Sequence, residues 1–337
     1  MTVYEVPQDT SSIGDLRQSE RPDPGDPAPG QVLVRLRAAS LNYRDLMIAK
    51  GTYGRAGLAR DTVPLSDGAG EVVAVGDGVT EFAVGDRVAG TFFQPTSGVP
   101  SAEEKPLGAP LDGVLQESRL FYEAGLVHAP AGYSFEEAAT LPCAAVTAWH
   151  ALMEAGAPVR PGQTVLALGT GGVSTFALQF AAAAGARVIV TSSSDAKLET
   201  VRGLGADLTV NYKETPDWAE AVLDLTDGHG ADAIIEVGGV GTLGKSFKAV
   251  AKGGKIGLIG VLADADDSPA PYPLMGKGAA LHGIFVGDRP MFQAMNRAIE
   301  ANQIKPVIDR VFPFEEASAA YRYLAEADHT GKVVVSI

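Results

Sequence analysis

The sequence contains a single cysteine, Cys143, in 337 residues. One cysteine forms no internal disulfide and cannot build a cysteine-based zinc site. Aromatic residues are sparse, at 7%, with only two tryptophans. Basic residues are outnumbered 27 to 41, for a formal net charge of −14. That balance argues against a nucleic-acid partner, because phosphate binding draws on clustered Lys and Arg; a small anion in a local pocket stays compatible with it. Met1 to Gln8 lack a basic start and an apolar core, so no signal peptide is expected. The one long uncharged run, between Arg160 and Arg187, has the length of a membrane span. Gly169, Gly171 and Gly172 cut it into a strand-like and a helix-like half, which favours a buried strand and helix over a span. The expectation is therefore a cytoplasmic protein with no membrane partner.

What is plentiful is apolar residues, 46% against 20% charged, a globular mix. Glycine is also abundant: 40 of 337 residues, about 12% against a usual ~7%. The length suits about two domains, and the pattern changes once. Early on, short alternating strands are separated by Gly-Asp turns: Gln31 to Ala38, Gly70 to Val75 and Arg87 to Phe92, with turns at Gly76-Asp77-Gly78 and Gly85-Asp86. This spacing suggests a partly closed β-barrel. Gln94 to Gly113 reads as a long Pro- and Gly-containing loop in which Glu103, Glu104 and Lys105 form a solvated face. Near residue 135 a helix start appears, Ser134-Phe135-Glu136-Glu137, with Ser as cap and Glu at the third helical position. Beyond it strands and helices alternate, from Thr164 to Leu168 through a last strand at Ala280 to Val286. That alternation predicts an α/β fold with a doubly wound parallel sheet. From Asp288 the chain returns to mixed helix and strand and reaches a strand at Lys332 to Ser336.

The strongest chemical signal lies where the first strand of that series meets its helix: Gly169-Thr170-Gly171-Gly172-Val173-Ser174. This is Gly-x-Gly-x-x-Gly with Ser in the third place. The first glycine permits a tight turn, the second lets a pyrophosphate approach the backbone, and the helix start offers free N–H groups. Ser174 is small enough for close helix–strand packing. The context of strand, turn and helix favours a dinucleotide over a purely structural turn. A site for NAD places an acid at the end of the second strand, for the ribose hydroxyls. Here Ser192 stands in that place, followed by Ser193 and, one turn on, Lys197. The missing carboxylate removes repulsion against a 2′-phosphate, so NADP is favoured; the same serines also suit a helix cap.

Several blocks in one order then resemble the medium-chain dehydrogenase/reductase superfamily, and most closely its zinc-independent quinone oxidoreductase-like branch. They are Leu41-Asn42-Tyr43-Arg44-Asp45 with Gly51-Thr52-Tyr53; Gly68-Ala69-Gly70-Glu71-Val72; Val84-Gly85-Asp86-Arg87-Val88; Leu141-Pro142 with Thr147-Ala148-Trp149; the glycine turn; Asn211-Tyr212; Glu236-Val237-Gly238-Gly239; and Gly331-Lys332-Val333-Val334. The resemblance implies a GroES-like β-barrel catalytic domain split between residues 1–128 and 288–337, and a Rossmann dinucleotide-binding domain at 129–287. It also implies that Tyr212 joins Ser192, Ser193 and Lys197 near the 2′-phosphate. Thr147, the Val237-Gly238 turn and Ile284-Phe285-Val286 would line the nicotinamide. Departures from the zinc-dependent alcohol dehydrogenases are as informative. Their first zinc ligand is Cys, where Asn42 stands; their Gly-His-Glu reads Leu65-Ser66-Asp67; their four-cysteine lobe is replaced by the cysteine-free loop Gln94 to Gly113. Both zinc sites are expected to be absent.

Without a metal nothing obvious polarises an alcohol oxygen. Hydride transfer to an electron-poor carbon needs only hydrogen-bond donors for the developing enolate oxygen. Quinones and α,β-unsaturated carbonyl compounds therefore fit best as small-molecule substrates. Asn42 and Tyr53 are the candidate donors, with Asp45 orienting their loop. Ordinary loop formation competes for Asn42 and Asp45, and packing competes for Tyr53. Asn42, Tyr53 and Thr147 are expected around one cleft between the domains, over the nicotinamide. Two other readings stand beside this one: a zinc-free, NADP-dependent alcohol dehydrogenase or carbonyl reductase, and a non-catalytic NADPH-binding protein of the crystallin kind. A homodimer through the sheet edge is expected, because the apolar run Gly283-Ile284-Phe285-Val286 would be a liability if left bare.

Overall fold

The computed structural model describes residues 1–54, 57–98, 103–260, 262 and 268–337. It divides into two compact units, Met1–Ala144 with Asp288–Ile337, and Ala145–Gly287.

The second unit follows from the continuous apolar run Thr164–Leu168. Its side chains do not alternate in polarity, so both faces must be covered, and all five residues are buried. The sheet has six strands in the order Leu208–Asn211, Arg187–Ser192, Thr164–Leu168, Ala231–Glu236, Val250–Leu258, Ala280–Gly283. Every pairing is parallel. The order runs outward both ways from Thr164–Leu168, so the winding reverses between that strand and Ala231–Glu236. Ligands of such sheets bind at the carboxyl ends of the strands, at this reversal. One face is packed by Trp218, Val222 and Phe247 against Leu166, Ile234 and Ile256. The edge strand stops at Gly283 instead of the expected Val286. Ile284 N–H still bonds to Leu258 O, at 2.9 Å, but Val286 adopts a left-handed φ of 56°, which turns the chain out of the sheet.

The first unit is built on Gln31–Ser40, whose Val32, Val34 and Leu36 point inward. This strand pairs antiparallel with Asp67–Val75, Ser118–Tyr122 and Lys332–Ser336. Ile308–Pro313, Arg87–Gly90 and Leu126–His128 complete a seven-stranded sheet. Its core brings together Val32, Leu36, Val72, Phe121 and Tyr321. The segment read as a loop carries a small hairpin, Phe93–Pro95 paired with Glu104–Pro106; residues 99–102 lie outside the described residues.

Residues 129–144 belong to this first unit, whereas the sequence reading put them in the dinucleotide-binding domain. The helix start at Ser134 does form, with Ser134 Oγ accepting from Glu137 N–H at 3.1 Å and Glu137 Oε2 accepting from Ser134 N–H at 2.8 Å. The change from short strands to a helix marked a new element, and the contacts of that element tie it backward. Tyr133 donates to Ile304 O at 2.6 Å, Lys305 pairs with Glu137 at 2.8 Å, and Cys143 N–H donates to Asp67 at 3.1 Å. Among the described residues no helix is long and apolar enough to cross a membrane.

Candidate functional site

In the second unit the strand Thr164–Leu168 turns at Gly169, where φ is +74°, into the helix Gly172–Ala183. A left-handed residue is costly for any side chain but glycine. Gly171 is the helix cap and makes no side-chain cap bond, so the first amides depend on an outside acceptor. A Cβ built on Gly169 or Gly171 would meet no protein atom within 4 Å. The glycines therefore leave open space above the helix start, a cradle suited to a pyrophosphate. Ser174 is buried, and its hydroxyl donates to Leu168 O at 2.6 Å. It thus locks the helix to the strand it follows. Gly169 N–H reaches Thr191 Oγ1 at 3.4 Å, tying the turn to the second strand. Thr170 is buried, and Gly172 and Val173 are partly buried.

The second strand ends at Ser192, which is buried. Ser192 O accepts from Tyr212 N–H at 3.0 Å and Ser192 Oγ from Ser194 N–H at 3.4 Å. Ser194, rather than Ser192 or Ser193, caps the next helix, with Lys197 N–H donating to it at 3.5 Å. Ser192 and the Tyr212 backbone are thus brought together, with Ser193 on the connection into that helix and Lys197 in its first turn. Asp195 lies in its first turn and accepts from Asn211 Nδ2 at 2.8 Å.

Across the winding reversal, Glu236 ends the fourth strand fully buried. Its carboxylate accepts from Gly238 N–H at 2.8 Å, Gly239 N–H at 3.0 Å, Thr242 Oγ1 at 2.5 Å and the Ser246 hydroxyl. It pins the Val237-Gly238-Gly239 turn, a role that sequence reasoning did not give it. Thr147 is buried on the short helix Val146–Trp149. His150 Nδ1 lies 2.7 Å from Val286 O. Of the segment Ile284-Phe285-Val286, only Phe285 is exposed.

The first unit holds a buried polar cluster. Asn42 precedes the helix Tyr43–Ala49, and its N–H donates to Asp45 Oδ2 at 2.7 Å. Asp45 thus holds the Asn42 backbone at the start of this helix. It is fully buried, its Oδ1 lies 3.9 Å from Arg44 Nη1 but has no hydrogen-bond partner among the described residues, and burial, opposed by Arg44, pushes its carboxyl up to about 6. Arg44 donates to Leu107 O at 2.8 Å, and its guanidinium carbon lies 4.9 Å from the Tyr53 ring centre. Asp67, also fully buried, accepts from Ser66 Oγ at 2.6 Å and from Cys143 N–H. Burial pushes the Asp67 carboxyl up, and Lys332 opposes the shift. Lys332 Nζ donates to Asn42 Oδ1 at 2.5 Å and to Leu41 O at 2.6 Å, and lies 3.9 Å from Asp67 Oδ2. Leu65, just before this pair, has a left-handed φ of 69°. A branched residue in that region stores strain of the kind that clusters at functional sites.

Two family models match the chain: the alcohol dehydrogenase GroES-like domain over residues 28–131 and the zinc-binding dehydrogenase domain over residues 172–301. A zinc-type alcohol dehydrogenase-like protein of Schizosaccharomyces pombe is 48% identical over 342 residues, covering 99% of each chain. The chain belongs to the medium-chain dehydrogenase/reductase superfamily. A quinone oxidoreductase of Pseudomonas aeruginosa is 33% identical, covering 93% of each chain. Among solved structures, an NAD-dependent alcohol dehydrogenase matches with a TM-score of 0.91 and 34% identity over 100% of both chains. A 2-octenoyl-CoA carboxylase/reductase, solved with NADP and 2-octenoyl-CoA, matches with a TM-score of 0.90 and 26% identity, covering 99% of this chain and 87% of that one.

Membership in this superfamily makes the chain an oxidoreductase with a GroES-like domain and a Rossmann domain. It also raises the question of zinc. The residues do not fit that ion. Asn42 Oδ1 is engaged by an ammonium, Ser66 Oγ is a weak donor already bonded to Asp67, and Asp67 faces the same ammonium. Among the described residues, no group of three or more His, Cys, Asp and Glu could hold a metal. A dinucleotide does fit, at the uncapped helix start and its open glycine cradle.

Proposed function

We propose that this oxidoreductase transfers hydride from NADPH to a quinone or an α,β-unsaturated carbonyl compound, without zinc. The observation that carries the reading is the first-unit cluster. Where a Lewis acid would act, it offers hydrogen-bond donors, the Asn42 amide held by the Lys332 ammonium. Such groups suffice for an acceptor whose negative charge spreads onto an oxygen as hydride arrives, and do little for an unactivated ketone. The bound dinucleotide supplies the hydride. The chain's own residues do the rest. The amides of Gly172 and Val173 would hold a pyrophosphate, and Thr147, Val237, Gly238, Ile284, Phe285 and Val286 would hold the nicotinamide. Asn42 and Tyr53 donate to the substrate oxygen, and Asp45 holds the Asn42 backbone.

For NADP over NAD, the support is Ser192 at the end of the second strand, with Ser193, Lys197 and Tyr212 beside it. The relatives' names point both ways. The NADP-bound neighbour, whose second ligand is an α,β-unsaturated thioester, supports the hydride donor and the acceptor class together. The alcohol dehydrogenase names favour the alternative reading, a zinc-free carbonyl reductase. The test is a steady-state screen with NADPH and NADH against 1,4-naphthoquinone, an enone and simple ketones. Turnover of the first two, with NADPH preferred, is expected; turnover of simple ketones alone would favour the alternative.

We propose further that two copies pair through the edge of the parallel sheet. Leu281 on the edge strand is 38% exposed and Phe285 beyond it 59%. Tyr272 and Met275, on the helix Tyr272–Lys277 that precedes that strand, are also exposed. A bare strand edge flanked by apolar side chains favours pairing with a second copy about a two-fold axis.

A further inference from the structure

We propose that Lys332 is a positioning residue: its ammonium fixes the Asn42 amide in one orientation and neutralises the two carboxylates beneath it. The proposal rests on the reading that Asn42 serves the reaction. Lys332 is 3% exposed, on a strand otherwise made of valines and a serine. An ammonium has three donors. Leu41 O and Asn42 Oδ1 take two, and Asp67 faces the third. An amide whose oxygen is held by an ammonium must present its NH2 on the other side. Asn42 Nδ2 is shielded from water and has no hydrogen-bond partner among the described residues, although the residue as a whole is only partly covered. The Asn42 side chain also helps hold the Asp67 carboxyl down, against the effect of burial. The NH2 carries two hydrogens, so a carbonyl oxygen can take one while Asp67 faces the other. Were the amide free to turn over, half of its orientations would present an oxygen to the substrate oxygen and repel it.

The charges facing Lys332 make the second half of the argument. Asp67 from the strand Asp67–Val75, Asp45 from the helix Tyr43–Ala49 and Cys143 from the helical segment Leu141–Ala145 face it, while Arg44 of the same helix as Asp45 and Tyr321 of the helix Ala317–Glu326 face Asp45. Two carboxylates meet two cations, so the cluster is neutral when all four are charged. Without Lys332 it carries net negative charge, which opposes an oxyanion forming above it.

The test compares Lys332→Met, Asn42→Ala, the double variant and Asn42→Asp. Each is assayed with NADPH and 1,4-naphthoquinone and unfolded with denaturant from pH 5 to pH 8. Lys332→Met is expected to lower kcat at least tenfold with NADPH affinity within twofold. The loss in the double variant should fall well short of the product of the two single losses, because the larger part of what Lys332 does passes through Asn42. Losses that multiply would overturn the positioning role. The stability deficit of Lys332→Met should grow from pH 5 toward pH 8, as the buried carboxyls ionise beside one cation instead of two. A deficit that is flat with pH would overturn the charge role. Should Lys332→Met fail to fold, Asn42→Asp decides: it still accepts from Lys332 but presents an oxygen instead of an NH2, so kcat should fall at least tenfold in the folded protein, and full turnover would sink the idea. If the unmodified protein reduces neither a quinone nor an enone, the functional reading fails, and the pH dependence of the deficit alone decides whether Lys332 balances the carboxylates.

Discussion

Asp45 has no access to solvent, and its carboxyl is pushed up to about 6 by burial, with Arg44 opposing. The folded protein therefore holds this proton more tightly than the unfolded chain, where the value is near 3.9. The resulting stability is full below the unfolded value and is lost as pH rises through about 6. Asp45→Asn removes the titration. Its stability relative to the unmodified protein should rise between pH 4 and pH 7, by on the order of 2 kcal/mol, as read by urea unfolding across that range. A parallel pair of curves would show that Asp45 does not titrate there. Tyr53 tests the other end of the same loop. Tyr53→Phe keeps the ring beside Arg44 and deletes only the hydroxyl. If that hydroxyl donates in the transition state, kcat should fall about tenfold to a thousandfold, with NADPH affinity unchanged. A silent change would make Tyr53 a packing partner of Arg44 and nothing more.

Elements differ in how much of their role their own sequence carries. The glycine turn is the most legible, because its chemistry depends on contiguous residues: a left-handed position, an open approach and a helix start all fall between Gly169 and Gly172. Gly171 is extended, and a Cβ there meets nothing within 4 Å. Gly171→Ala should therefore fold with little change in thermal midpoint while dinucleotide affinity falls about tenfold or more, because the methyl occupies the pyrophosphate's approach. Calorimetric titration alongside thermal melting would separate the two effects; equal affinity would mean that the turn is purely structural. At the end of the second strand, Ser192→Asp places a carboxylate against a 2′-phosphate and should weaken NADPH roughly tenfold relative to NADH. Equal dissociation constants for NADPH and NADH in the unmodified protein would remove the basis of that preference. The early strands were legible from their alternation, as in Val32, Val34 and Leu36. Less legible was whatever depends on distant partners. The edge strand stops at Gly283 because Val286 turns left-handed, which nothing in Ile284-Phe285-Val286 announces. The helix at Ser134 was read correctly as a helix, but its allegiance rests on Ile304 and Lys305. Lys332 was visible as a lone charge in an apolar strand; its task was not, since Asn42 lies 290 residues away.

For the molecule as a whole, the exposed edge Ala280–Gly283 makes assembly the quantity to measure. Light scattering at micromolar concentration should give twice the protomer mass, and Leu281→Lys, which puts a charge on the pairing edge, should shift the equilibrium to monomer. A monomeric unmodified protein would overturn the pairing. The insertion of residues 145–287 between two parts of the first unit has a different consequence, one of timing. The strand Gln31–Ser40 is made early, but its neighbour Lys332–Ser336 is translated only after the whole inserted unit, on the order of tens of seconds later at usual ribosome speeds. Throughout that interval Asp45 and Asp67 wait without the ammonium that balances them, and Ala38–Ser40 at the end of Gln31–Ser40 wait for their partner strand. The inserted unit, whose sheet uses only its own strands, can close in the meantime. Order of synthesis thus makes the first unit the later and more aggregation-prone to mature, and makes the arrival of Lys332 the event that completes its sheet and its charge balance together.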